Sequence, residues 1–135
     1  MAGSALQAAV GYAARGWAVF PLHSIRAGNC SCRRQECAHP AKHPLTRHGL
    51  HDATPDPAVI RAWWGRWPWA NAGIVTGAVS GLVVLDIDPA SHGNESLARL
   101  QSLMGSLPVT LTAETGGDGQ HLFFTHPGGE VRNTT

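Results

Sequence analysis

The sequence of 135 residues has the length of one domain or of a piece of one, and it is long enough to bury a core. Hydrophobic residues make up 43% of it and charged residues 14%, a composition that excludes intrinsic disorder. The formal net charge is +1, so the overall balance does not indicate a nucleic-acid or membrane partner.

The first part of the chain predicts a helix, a short strand and a long irregular segment. Apolar residues at helical spacing follow Ser4, a good N-cap, and predict a helix over residues 4–15. Residues 17–20 predict a buried strand that is closed by Pro21. Residues 23–55 lack periodicity but hold all three cysteines, five of the eight histidines and four of the nine arginines. A loop of this length inside a compact domain is usually functional, so this segment needs a structural explanation.

A second helix begins after Asp56, which is followed by a first-turn proline. Its apolar stripe is formed by Ile60, Trp63, Trp64 and Trp67. Core packing is the favoured use of this stripe because the spacing is that of an amphipathic helix. Stacking of nucleic-acid bases on the tryptophans is the alternative.

The second part of the chain predicts strands around a third helix. Residues 72–76 and 82–88 are β-rich runs joined by a segment bounded by glycines, which predicts a hairpin or a tight strand connection. A helix is predicted over residues 94–104, and two further strands over residues 109–114 and 121–125. Three helices mixed with about five short strands predict an α/β or α+β domain.

The most apolar strand, predicted to be central in its sheet, ends in Asp86 and Asp88. Side chains alternate along a strand, so both carboxylates lie on one face. Adjacent carboxylates repel each other, and a pair of Mg²⁺ or Mn²⁺ ions is the simplest means of neutralising them. The alternative is that one of the two aspartates only caps the turn into Pro89.

His121 opens the last strand directly after the glycine-rich turn that runs from Thr115 to Gly119. Backbone N–H groups of such a turn can bind phosphate, and His121 would add a donor. The alternative is a plain hairpin with a structural histidine.

The three cysteines lie within eight positions, and their odd number argues against a disulfide framework. With one histidine they would supply the four ligands of a closed, structural zinc site, which would order the loop. The candidate ligands are Cys30, Cys32, Cys37 and one of His39, His43 or His48. The spacing that ends at His43 is compact but feasible, and three reduced thiols in a surface loop are the alternative.

No apolar run approaches the roughly 18 residues of a membrane span, and the N-terminus lacks a signal-peptide pattern. We therefore expect a cytoplasmic protein without a membrane partner.

Six segments form a recognisable set in the order in which they occur. They are GWAVFPL from Gly16, the Cys-x-Cys region running into Lys42-His43-Pro44, Asp52-Ala53-Thr54, NAGIVTG from Asn71, SGLVVLDID from Ser80 and TGGDGQHLFF from Thr115. Together they resemble the N-terminal domain of bifunctional DNA primase/polymerases (Prim-Pol) over about residues 5–126.

The resemblance implies the archaeo-eukaryotic primase superfamily, in which an RRM-like core sheet lies beside an N-terminal α/β unit. It implies one primase/polymerase domain over residues 1–135, with a zinc-binding insertion at about 28–48 and a flexible tail at 127–135. The implied activity is template-directed nucleotidyl transfer in the replication proteins of plasmids or phages. Its partners would be nucleoside triphosphates, a DNA template and primer, and a fused or associated helicase.

The resemblance also assigns roles to individual residues. Asp86 and Asp88 match the paired acidic metal ligands, and His121 matches the histidine that contacts the triphosphate. Lys42 and arginines of residues 1–66, which hold eight basic and three acidic groups, would bind phosphate or the template backbone. The three cysteines with His43 match a zinc-binding insertion of some members.

One family feature is missing from the sequence. The family places a third acidic metal ligand on a strand after the histidine motif, near a Gly-Gly-Tyr-Val segment. Asp118 and Glu130 are poor substitutes because they lie in a glycine turn and a polar tail. We therefore expect a truncated domain that is inactive alone. The alternatives are a zinc-stabilised module that binds single-stranded nucleic acid without catalysis, and a degenerate interaction domain that keeps only the fold.

Overall fold

The computed structural model describes residues 2–134, a mixed α+β chain that divides after Val75 into an N-terminal and a C-terminal unit. The helices are α1 (Ala2–Ala14), α2 (Pro57–Arg66) and α3 (Gly93–Met104). The strands are β1 (Val19–Leu22), β2 (Ile25–Arg26), β3 (Asn29–Cys30), β4 (Asn71–Ile74), β5 (Leu82–Ile87), β6 (Thr112–Glu114) and β7 (Gln120–Thr125). Short 3₁₀ helices cover Gly49–Asp52, Pro89–Ser91 and Gly116–Asp118. The expected α+β class is confirmed.

The core of the N-terminal unit lies between α1, α2 and β1. Its buried members are Ala9, Ala13, Val19, Ile60, Trp64 and Ala70. Trp63 and Trp67 are partly buried against them, and the indole N–H of Trp64 donates to the carbonyl of Ala70 at 3.2 Å. The tryptophan stripe of α2 is therefore core packing, as its helical spacing predicted.

Helix α1 begins earlier than predicted. It starts at Ala2, so Ser4 lies inside the helix and the N-cap prediction is wrong. The cause is the high helix propensity of alanine, which extends the helix towards the N-terminus. The helix ends where expected, because Gly16 adopts a φ of 84° and its N–H donates to the carbonyl of Ala13 at 2.9 Å.

Strand β1 is shifted by two residues from its predicted position and includes Pro21, so the prediction that this proline closes the strand is wrong. Pro21 lies opposite Ala72 of β4, and its carbonyl accepts a hydrogen bond from the N–H of Leu45 at 3.0 Å. The strand needs no donor at this position, which is the condition under which a sheet tolerates proline.

The long irregular segment, residues 23–55, returns to β1 at two points. Val19 and Thr54 exchange two backbone hydrogen bonds of 3.0 Å, and Leu22 forms a bridge with Pro44. Between these anchors, β2 and β3 pair as a small antiparallel hairpin. The segment is thus a folded insertion that leaves β1 and returns to it. Its sequence has no periodicity from which this structure could be predicted.

The C-terminal unit contains an antiparallel sheet with the order β5-β7-β6, against which α3 packs through β5. The last two predicted strands are present, although the first of them, β6, begins only at Thr112, and they pair as the hairpin that was the alternative for the glycine-rich turn. Within the described residues β5 is an edge strand, so its predicted central position is wrong; β7 pairs on both sides and takes the centre.

The predicted hairpin between residues 72–76 and 82–88 does not form, because β4 pairs with β1 and β5 pairs with β7. The alternative, a tight connection, is present. Gly77 and Leu82 exchange backbone hydrogen bonds of 2.7 and 3.1 Å. Local turn residues therefore identified the reversal of the chain but not the partners of the two strands.

Candidate metal centre and acidic site

The three cysteines and His43 converge in the N-terminal unit. One ligand atom from each of Cys30, Cys32, Cys37 and His43 lies within 4.8 Å of all the others. In the part of the chain that the structure describes, no other group of three or more histidine, cysteine or acidic side chains converges in this way. We refer to these four residues as the knuckle.

The atoms of the knuckle already approach a ligand set. The sulfur atoms of Cys30 and Cys37 each lie 3.5 Å from Nε2 of His43, and all three cysteines are free of disulfides. Three thiolates and one imidazole are the donor set of closed tetrahedral zinc sites. The group could therefore hold a zinc ion with no open position for a reacting water.

Hydrogen bonds favour the charged form of one thiol. The N–H of Ala41 donates to the sulfur of Cys30 at 3.3 Å. This bond, together with one from the backbone of Cys32, lowers the pKa of Cys30 to about 6. Burial instead raises the pKa of the Cys37 thiol. Because a cysteine binds zinc as a thiolate, Cys30 is prepared for a metal, whereas Cys37 would have to lose its proton for a metal to bind.

His43 packs against His23. Their rings stack with centroids 4.2 Å apart, and the backbone N–H of His23 donates to the carbonyl of His43 at 2.9 Å. His39 is not part of the converging group, and His48 instead lies 3.2 Å from Asp52. Of the three histidines that the sequence left open, the structure places His43 with the thiols.

Asp86 and His121 meet in the C-terminal unit. They are directly opposed on β5 and β7, and Oδ1 of Asp86 lies 3.5 Å from Nε2 of His121. Their side chains are 66% and 42% exposed, respectively, so both are accessible to a ligand.

Asp88 follows the end of β5 and has a structural role of its own. Its carboxylate accepts hydrogen bonds from the N–H of Ala90 at 3.0 Å and from the hydroxyl of Ser91 at 3.3 Å, which caps the 3₁₀ helix Pro89–Ser91. The capping alternative thus applies to Asp88, whereas Asp86 lies within the strand. Asp86 and Asp88 are both exposed and flank the buried Ile87, as alternation along a strand requires.

The glycine-rich turn is in close contact with the end of β5. A Cβ atom on Gly119 would lie 2.9 Å from the carbonyl oxygen of Ile87, so only glycine fits there. The N–H of Thr115 is already used, because it donates to the carbonyl of Gly119 at 2.9 Å. The turn therefore lies beside the two aspartates, with its first amide engaged in closing the loop.

The sequence model of the family described as bifunctional DNA primase/polymerase, N-terminal (Prim-Pol), matches residues 9–135. The chain belongs to the Prim-Pol family. No curated protein and no solved structure matches it. Membership supports a nucleotidyl-transfer function of the primase/polymerase type at the level of the family, with nucleotides and DNA as substrates.

Lys42 is the remaining residue of this Prim-Pol chain to which the resemblance assigns phosphate or template binding. Lys42 is exposed and belongs to the N-terminal unit, next to His43. No described helix has the length and apolar character needed to cross a membrane.

Sequence reasoning named the arginines of residues 1–66 only as a group and missed Trp69, which lines a cavity beside the knuckle together with Arg26, Arg33 and Arg34. Trp69 follows Pro68 and lies outside the helical stripe, which was the available signal that it does not share the core role of the other tryptophans. The arginine pair directly follows Cys32, so its position beside a metal centre could also have been noticed.

Proposed function

We propose that this chain performs the nucleotide-binding part of template-directed nucleotidyl transfer, with Asp86 and Asp88 as ligands of two divalent metals and His121 as a contact to the triphosphate. One observation carries the proposal: in a Prim-Pol chain, Asp86 and His121 are cross-strand neighbours beside a glycine-rich turn. The primase-polymerase fold, with β5 to β7 in its RRM-like sheet, is part of the same proposal.

The donor atoms suit the metals that the family generally uses. Carboxylate oxygens are the ligands preferred by Mg²⁺ and Mn²⁺, and Asp86 presents them to solvent. The hydrogen bonds from Ala90 and Ser91 fix the orientation of the Asp88 carboxylate, as outer-shell bonds do for metal ligands. When bound, the metal pair would activate a 3′-hydroxyl and stabilise the departing pyrophosphate.

The remaining residues would position the triphosphate. With 3.5 Å between His121 and Asp86, an imidazole N–H and a metal held by Asp86 would both contact oxygens of the same phosphate chain. At the turn, the hydroxyl of Thr115 and the backbone of Gly119 are proposed as further contacts to the phosphate. Lys42 is proposed as a further phosphate or template contact because of its charge.

The test is calorimetric titration of dATP and ATP into the protein with Mn²⁺ present. Binding is the readout because it requires only residues described above. The doubly substituted chain Asp86→Asn, Asp88→Asn should lose metal-dependent binding. The control, Glu95→Gln with Glu130→Gln, removes the same charge from exposed positions of the same unit and should retain it. Absence of metal-dependent binding to the unsubstituted chain would contradict the proposal.

A zinc-stabilised module that binds single strands without catalysis is the second candidate function. The observation in its favour is the arginine-rich cavity beside the knuckle. This candidate predicts steep salt dependence of strand binding, and no nucleotide binding that depends on Asp86.

A further inference from the structure

The cavity beside the knuckle has a composition that is not explained by the metal site. Its volume is about 640 Å³, within the roughly 300–1,000 Å³ of small-molecule sites. Its lining includes Arg26, Ser31, Arg33, Arg34 and Trp69, together with the candidate zinc ligand Cys30. Three guanidinium groups, polar side chains and one indole thus surround a space large enough for a nucleotide unit.

The three arginines are not neutralised by the protein. All three are exposed, and none lies within 4.0 Å of a carboxylate oxygen in the described part of the chain. Arg132, in contrast, pairs with Glu130 at 2.8 Å. Unpaired guanidinium groups that line one cavity create a positive potential and offer paired N–H donors to phosphate oxygens.

The indole of Trp69 is held in place by its neighbours. The guanidinium carbon of Arg26 lies 5.1 Å from the ring centroid, and the ring of His23 stacks at 6.3 Å with an interplanar angle of 30°. Trp69 is half-buried and lies outside the hydrophobic core cluster. An aromatic ring that is positioned at the wall of a cationic cavity is the arrangement that binds bases of single strands.

We propose that this cavity binds a single strand of nucleic acid, with phosphodiester oxygens on Arg33 and Arg34 and a base packed against Trp69. A duplex is disfavoured as occupant because its base faces are covered by stacking, which would leave the indole without a partner. The inference depends on the proposed function at one point only, the identification of this strand as the template. Binding of the strand itself needs neither Asp86 nor a nucleotide.

A competing use of the arginines is to balance the metal centre. Zinc with three thiolates and a neutral imidazole carries one net negative charge, which nearby cations stabilise. On this account, removal of the arginines would release zinc, whereas the strand-binding account leaves the metal in place. Zinc content therefore distinguishes the two.

The experiment measures fluorescence anisotropy of a labelled oligothymidylate of about 12 nucleotides with the zinc-loaded protein. We expect Arg33→Gln, Arg34→Gln to weaken binding about tenfold and to reduce the slope of log K against log salt by about 1.4. The control, Arg47→Gln with Arg61→Gln, removes the same charge from exposed positions outside the cavity and should change binding less than about twofold. Trp69→Leu should weaken binding about fivefold or more without changing the salt slope.

Each outcome bears on the proposal. Equal loss in the cavity and control variants, absence of binding to the unsubstituted protein, or release of zinc from the Arg33, Arg34 variant would overturn it. Equally tight competition by free dTTP would overturn it too, because it would indicate a mononucleotide site. Zinc content and circular dichroism establish that each variant is folded. Retained strand binding by Asp86→Asn, Asp88→Asn, with nucleotide binding lost, would separate this site from the acidic one.

Discussion

Asp86 and His121 occupy directly opposed positions of β5 and β7, so their contact of 3.5 Å depends on the register of that pair of strands. A slip by one residue would turn each side chain of the strand to the opposite face. On either side of this pair, Leu85 faces Leu122 and Ile87 faces Gln120. The apolar neighbours of β5 therefore fix the geometry of the exposed pair.

We expect His121→Ala to weaken Mn²⁺-dependent dATP binding about tenfold, because one charge-assisted contact to the triphosphate is lost. Mn²⁺ binding without nucleotide should be retained, since Asp86 and Asp88 are unchanged. His121→Gln keeps a side-chain donor and should recover part of the affinity. Calorimetry with and without nucleotide measures both quantities, and equal loss of Mn²⁺ and dATP binding in His121→Ala would refute the assigned role.

The knuckle should bind one zinc ion per chain. Cys37→Ser or His43→Ala is expected to lower zinc affinity more than about 100-fold, because each removes a ligand rather than an outer-shell partner. His39→Ala is the matched control and should keep full zinc content, since His39 lies outside the converging group. Elemental analysis of purified proteins measures the stoichiometry. Loss of zinc in His39→Ala with retention in His43→Ala would show that the ligand set is different.

The metal-free protein should become more stable as pH rises between about pH 7 and about pH 8.5. The pKa of Cys30 is about 6 in the folded chain, against an ordinary value of 9.0. In this window the folded state holds the thiolate while the unfolded state binds a proton, so the free energy of unfolding increases with pH. The lowered pKa of His23 also makes the free energy of unfolding increase with pH, but only below pH 6.5, the ordinary pKa of histidine.

Thermal unfolding in the presence of a chelator measures this dependence. In Cys30→Ser the increase between these pH values should disappear, while Cys32→Ser should keep it. The raised pKa of Cys37 has the opposite effect on the free energy of unfolding. It lowers this free energy only when pH rises above the ordinary thiol pKa. A pH-independent melting temperature in the metal-free protein would contradict the role of the bond from Ala41.

Gly93→Ala should destabilise the protein by about 1–3 kcal/mol, because the new methyl group meets backbone rather than a movable side chain. An added Cβ would lie 2.7 Å from the backbone nitrogen and 2.8 Å from the carbonyl oxygen of Asp88. The substitution should also weaken Mn²⁺-dependent dATP binding, since it displaces Asp88. Urea denaturation and calorimetry measure the two effects.

Gly11→Ala is the matched control for that substitution. Its Cβ would meet nothing within 4 Å, and Gly11 lies inside α1. Replacement of a helix-interior glycine by alanine should raise the free energy of unfolding by about 0.5–1 kcal/mol. If Gly93→Ala is as stable as the unsubstituted chain, the backbone at Asp88 can move to accept the methyl group, and the predicted destabilisation is wrong.

Features with a local cause could be predicted from the sequence. The aromatic stripe of α2 and the end of α1 at Gly16 follow from periodicity and backbone freedom, and both are present. The choice of partners for β4 and β5 could not be predicted, because pairing between distant strands is decided by tertiary contacts. One such contact is the approach of the Phe20 ring to Gly73, where a Cβ would lie 2.7 Å from the ring.

The candidate sites divide in the same way. The cysteine spacing predicted a metal centre, but the selection of His43 depends on the return of the chain to β1 at Pro44, which no spacing rule contains. The alternation of β5 placed Asp86 and Asp88 on one face, whereas the meeting with His121 required the register of β7. The cavity around Trp69 joins residues about 40 positions apart and has no periodic signal.

The irregular segment that leaves and rejoins β1, residues 23–55, also affects the order of folding. Its contacts are nested: the backbone bond between His23 and His43 closes an inner loop, and the bonds between Val19 and Thr54 close an outer loop around it. The entropy lost in closing a loop grows with its length, so an inner loop already held by metal shortens the free chain of the outer one. Zinc at the knuckle would thus lower the entropic barrier to seating Val19 in the core beside Trp64, although it touches neither residue.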